Sequence, residues 1–160
     1  MTKLLTLAAM IALPAVAAVA QAPAASTYVM KAGAGDQYEI QSSRLLLTST
    51  KNAKLRSFAT MMVSDHTKST ADVKAAAMRA GLHPAPPKLD AMGTKNVAAL
   101  RATTGTARDH LYVEQQKAAH QRALTLHQSY AQSGTAAPLK TVAASIAPVV
   151  QSHISELSAM

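Results

Sequence analysis

Residues 52–81 read NAKLRSFATMMVSDHTKSTADVKAAAMRAG, and the spacing of their apolar side chains decides the fold class. Leu55, Phe58, Ala59, Met62, Val73, Ala76, Ala77 and Ala80 recur at three- and four-residue intervals, the period of an α-helix with one apolar face. Asn52 stands where a side chain can accept from the first free backbone N–H groups of that helix. Gly81 supplies the residue that ends it. A helix with such a stripe leaves it exposed unless other helices cover it.

The same period continues on both sides. A first helix is expected from about Thr27 to Thr50, with Val29, Ala32, Asp36, Ile40, Ser43 and Leu47 along one face; Gly33 and Gly35 weaken its first turns. After Gly81, the run His83-Pro84-Ala85-Pro86-Pro87 is a stiff, non-helical connector. Asp90 caps a short helix that ends near Arg101, and Gly105 interrupts the chain again. Thr106 is the expected cap of a third long helix, which stops at Ser133 before Gly134. A fourth begins near Pro138 and carries Leu139, Val142, Ala143, Ile146, Val149, Val150 and Leu157, with a kink expected at Pro148. No stretch alternates like a strand. Hydrophobic residues make up 49% of the chain and aromatic residues only 3%, which suits closely packed helices better than a β-sandwich. The expected architecture is all-α: an up-and-down four-helix bundle with a short extra helix in the connection between helices two and three.

Residues 1–20, MTKLLTLAAMIALPAVAAVA, read as an address. Lys3 gives a positive start, Leu4 to Val19 an apolar stretch, and Ala18-Val19-Ala20 a small-x-small cleavage pattern. The expected division is a signal peptide over 1–20, a flexible leader over 21–26 and a single helical domain over 27–160, in a periplasmic or secreted protein. An uncleaved anchor is the alternative. No later stretch is expected to cross a membrane. The chain has no Cys, which excludes disulfides and thiolate sites. The formal charge is +8, or +7 once Lys3 leaves with the leader. Such a balance suits an anionic envelope surface as partner. The basic residues are scattered, however, so a merely solvated surface is the plainer reading and specific nucleic-acid binding is not expected.

Four polar residues interrupt the inner stripes, one per long helix. Glu39 lies seven residues from Ala32 and from Leu46, His66 four after Met62, His120 seven after Val113, and His153 seven after Ile146. Counting residues to the connections puts all four near mid-height. Asp65 adjoins His66, while Asp109 precedes His120 by three turns, with Tyr112 between them. Imidazole and carboxylate groups converging from several helices are what a bundle uses to hold a metal. The expected ligand set is therefore Glu39, His66, His120 and His153 around one divalent transition-metal ion or small ligand, with Asp65, Asp109 and Tyr112 supporting it from behind. The competing reading is a metal-free polar network inside a non-catalytic, cationic, stress-associated or envelope-interaction module. An oxidase ranks below both, because a di-iron centre needs Glu-x-x-His on two helices and none of Glu39, Glu114 and Glu156 has His three residues later. No nucleophile motif or phosphate-binding loop offers a catalytic residue.

Taken together, Glu39, the run Phe58-Ala59-x-x-Met62-Val63-x-Asp65-His66, then Asp109-x-x-Tyr112 with His120, and Pro148 followed by His153 resemble the exported bacterial family called domain of unknown function 4142. The resemblance runs from about Tyr28 to Leu157. It implies a ferritin-like fold and an exported protein, and marks Glu39, Asp65, His66, Asp109, Tyr112, His120 and His153 as the family's motif positions. The chain departs from the pattern at Ala107-Arg108, where the family usually carries an aromatic residue before the aspartate.

Overall fold

The computed structural model describes residues 22–160, so the expected signal peptide and Gln21 lie outside the described residues. It contains five helices: α1 (Ala25–Leu47), α2 (Ala53–Arg79), α3 (Ala91–Arg101), α4 (Gly105–Ser133) and α5 (Ala137–Ser158). No strand occurs among the described residues. The four long helices and the short α3 form a helical bundle. α1 packs along α2 and α4 along α5; α1 also meets α4, α2 meets α5, and α3 lies chiefly against α1.

Local chemistry accounts for three of the helix ends directly. Asn52 Oδ1 accepts from the N–H groups of Lys54 and Leu55, and Asp90 Oδ1 from that of Gly93. Gly81, with φ +76°, lets Leu82 N–H reach back to Ala77 C=O and Gly81 N–H to Met78 C=O, the paired bonds that close a helix at a left-handed glycine. Three expected boundaries shift. α1 begins at Ala25, inside the expected leader, and ends at Leu47, because Thr48 and Ser49 turn the chain and Thr50 is buried. α4 begins at Gly105 (φ +57°) rather than after a Thr106 cap, and Thr104 at the cap position makes no side-chain bond. α5 runs on through Pro148, as its expected course does.

The apolar interior falls into two clusters. One gathers Tyr28 and Ala32 of α1, Val73 and Ala77 of α2, Leu124 and Tyr130 of α4, and Leu139 and Ile146 of α5. The other gathers Leu46, Leu55, Phe58, Met62, Leu100, Tyr112 and Leu157. The first therefore joins the beginnings of α1 and α5 to the ends of α2 and α4, and the second joins their opposite ends. This overturns the expected up-and-down order. α4 runs parallel to α2, and the long helices read up, down, down, up. The cause is the connection from Leu82 to Thr104. It crosses α1 where a Cβ on Gly33 would stand 2.8 Å from Pro87 Cβ, passes Tyr38 at Gly93, and brings Leu100 to the other end of the bundle.

Arg108, at the departure from the family pattern, fastens that far end. It is buried, and its Nε donates to the carbonyls of Leu100 and Thr103 while a terminal nitrogen donates to Ser49 Oγ. The cation thus sits at the C-terminal ends of α1 and α3, where backbone carbonyls lack helical partners.

Two glycines give opposite tests. A Cβ at Gly134 would lie 2.5 Å from both Tyr130 O and the Tyr130 ring, whereas one at Gly35 meets nothing. Gly134→Ala is expected to lower unfolding stability by about 2 kcal/mol through overpacking. Gly35→Ala, inside α1, is expected to raise it by ~0.5–1 kcal/mol through the lost flexibility of the unfolded chain. Urea unfolding of both variants checks the signs.

Candidate metal centre

Along each long helix, Glu39, His66, His120 or His153 falls between the two apolar clusters, and all four are buried. The three rings meet: centroid separations are 5.7 Å for His66–His120, 5.7 Å for His66–His153 and 5.4 Å for His120–His153. One ring nitrogen of each lies within 4.8 Å of those offered by the other two, all three residues being buried.

Every ring is held from behind. His66 Nδ1 donates to Asp36 Oδ1 at 2.8 Å, His153 Nε2 to Asp65 Oδ2 at 3.0 Å, and His120 Nδ1 to the Gln116 carbonyl at 2.9 Å. A carbonyl or carboxylate oxygen accepts, so each bond places the ring's proton on the bonded nitrogen. The opposite nitrogens, His66 Nε2, His120 Nε2 and His153 Nδ1, then carry lone pairs. All three are buried and have no hydrogen-bond partner in the protein. Phe58 presents an edge contact to His153 at 6.2 Å.

The supporting residues are not the expected set. Asp65 orients His153 across the α2–α5 interface rather than its neighbour His66. Asp36, placed on the inner stripe by its spacing but not recognised as part of the site, orients His66 and accepts from Thr70 as well. Asp109 and Tyr112 are drawn to other partners. Asp109 Oδ2 accepts from Thr50 near the end of α1, and the Tyr112 hydroxyl bonds Ser43 Oγ at 2.8 Å. Glu39 lies behind His120 and not among the converging nitrogens: its Oε1 is 3.6 Å from His120 Nδ1, beyond hydrogen-bond range, and its Oε2 is buried without a partner.

Burial sets the electrostatics. It pushes the Glu39 carboxyl up to about 7, against the stabilising charge of His66. Burial also tends to pull His66 down, but the bond and charge of Asp36, with Glu39 and Asp65, leave it above the ordinary histidine value. His120 is held down at about 3 by burial and by the adjoining His66. His153 is lowered by burial, in part offset by Asp65. A cleft of about 560 Å³ opens over α1, α3 and α4, and its wall includes Asp36, Glu39 and His66.

Outside the cluster, His127 Nδ1 and the Tyr28 hydroxyl share a hydrogen bond beside the stacked Tyr28–Tyr130 pair. Burial lowers this histidine to about 4. A ring depressed in the folded state gives stability that is complete above its unfolded pKa near 6.5 and is lost as pH falls toward 4. His127→Gln is therefore expected to reduce the loss of stability between pH 6.5 and 4 by about 3 kcal/mol, at 1.36 kcal/mol per unit. Unfolding curves measured across that range for both proteins check it.

No curated protein and no solved structure matches the chain. The family model described as Domain of unknown function (DUF4142) matches residues 12–160, nearly the whole sequence and every residue of the cluster, so the chain belongs to the DUF4142 family.

Proposed function

We propose that this protein is an exported, ferritin-like four-helix bundle that holds one divalent transition-metal ion between His66, His120 and His153. The observation that carries the reading is the convergence of buried lone pairs. Three imidazoles from three helices are each fixed by an acceptor at the rear, and the nitrogens left over have no donor to meet. A metal-free network would pair such atoms with one another or with a donor; a cation satisfies all three together. Around a tetrahedral ion at ~2.1 Å, nitrogens stand roughly 3.4 Å apart. Rings whose nitrogens lie within 4.8 Å can reach that spacing by small rotations.

The donor set fits one ion and not a di-iron pair. The ligands are neutral imidazoles, which suit Zn, Cu and Fe. The carboxylates of Asp36 and Asp65 lie behind them, where they balance a double positive charge and fix the rings. The ferritin-like assignment is supported by the single long crossover between α2 and α4, the topology that sets such bundles apart from simple up-and-down ones. Export is supported by the character of residues 1–20.

The raised pKa of His66 favours a second occupant, a proton, in the metal-free protein. A protonated His66 can donate Nε2–H to a neighbouring lone pair, and this is the polar-network reading in its most concrete form. Proton and metal then compete. Metal affinity is expected to be flat above the His66 pKa and to fall as pH drops through it, by about tenfold per unit for one displaced proton.

Elemental analysis of untagged protein is expected to give one equivalent of metal, absent from the His66→Ala, His120→Ala double variant. Asp36→Asn is expected to bind ~10–100-fold more weakly, because it loosens a ligand without removing one. No metal in the wild type, with no thermal shift on adding Zn, Cu, Mn or Fe, overturns the reading.

A further inference from the structure

The crossover that reverses the chain order also roofs a second pocket, remote in character from the histidine cluster. It is a half-open cleft of about 780 Å³ between α1, α2 and the segment from Leu82 to Asp90, within the size range of sites that hold small organic ligands. Its walls include Val29, Met30, Val73, Leu82, Pro86 and Pro87. Met30 is 65% exposed, a large apolar side chain without cover.

Charge on the lining is one-sided. Lys31, Lys74 and Lys88 face the pocket, and none of them pairs with a carboxylate among the described residues. The one acidic residue on the lining, Asp90, already serves the N-terminus of α3 through Gly93 N–H. The roof is pre-shaped. Three prolines stiffen it, Leu82 N–H ties one end to α2, and Pro87 is seated where Gly33 lacks a side chain. An apolar cavity that does not have to be ordered on binding keeps more of its contact energy as affinity.

We propose that this pocket binds a single-chain amphiphilic anion, a free long-chain carboxylate, with its tail along the Val29–Met30–Val73 wall and its headgroup among the three lysines. Apolar area alone would accept any hydrocarbon; three unpaired cations around it select an anionic end. The occupant is a free molecule and not a membrane surface, because the crossover overhangs a half-open cleft between α1 and α2 that a single chain can enter, rather than a flat face. The proposal is independent of the metal reading and shares no residue with the three rings.

The test is calorimetry of the full chain with dodecanoate and dodecanol below their aggregation concentrations. One dodecanoate is expected to bind, about tenfold tighter than the alcohol, because three exposed charge contacts that are each weak act together on one headgroup. The Lys31→Gln, Lys74→Gln, Lys88→Gln triple variant should lose that preference while keeping alcohol affinity. Met30→Asp, at an exposed position, should weaken both, and His66→Ala, His120→Ala neither. Circular dichroism and thermal midpoints establish that each variant is folded. No binding, equal affinity for acid and alcohol, an unchanged triple variant, or binding only to phosphatidylglycerol vesicles overturns the proposal.

Discussion

Three hydrogen bonds that never touch the centre govern it. The acceptors Asp36, Asp65 and the Gln116 carbonyl take one N–H from each ring, and in doing so they leave the remaining nitrogens as buried lone pairs without a partner in the protein. Imidazole has two chemically different faces in its neutral form, and its partner decides which is which. The acceptors belong to α1, α2 and α4 and the rings to α2, α4 and α5. Two of the bonds cross between helices, so the orientation of the rings depends on the packing of the whole bundle rather than on any one segment.

That packing isolates the rings from both ends. Above and below them lie apolar clusters built from Tyr28, Ala77, Tyr130 and Leu139 on one side and Phe58, Met62, Leu100 and Leu157 on the other. A polar layer between two apolar ones is costly unless it is satisfied, and burial expresses that cost by raising Glu39 and lowering His120, while Asp36 holds His66 up against it. A lateral opening lies on the α1 side, where the cleft reaches Asp36 and Glu39 as well as His66. Exchange of protons with the outside therefore has the acceptors, and not the apolar ends, as its nearest contacts.

Much of this was legible in the residues. The 3.6-residue period, Asn52, Asp90, Gly81 and Gly134 give the helices and most of their limits, because caps and stripes are local chemistry. The inward placement of His66, His120 and His153 follows from the same period. The order of the helices does not. Periodicity says that a stripe is buried but not by which neighbour, and the sign of the missing information lay in length: the stretch between α2 and α4 is far longer than antiparallel neighbours need. The partners of the rings were hidden for a similar reason. Asp65 adjoins His66 in sequence yet serves His153, while Asp36, thirty residues from His66 and on the same stripe as Glu39, serves His66. A helix places adjacent residues about 100° apart, so a sequence neighbour is a poor candidate and a facing helix a good one.

The contact of Pro87 with Gly33 ties two distant positions of the chain into a single steric unit. The constraint runs one way: a side chain at 33 needs the proline moved, whereas a crossover rerouted away from 87 no longer requires glycine beneath it. Within this family the two sites should vary as a pair, so the identity of the residue early in the first helix reports the path of a loop some fifty positions later.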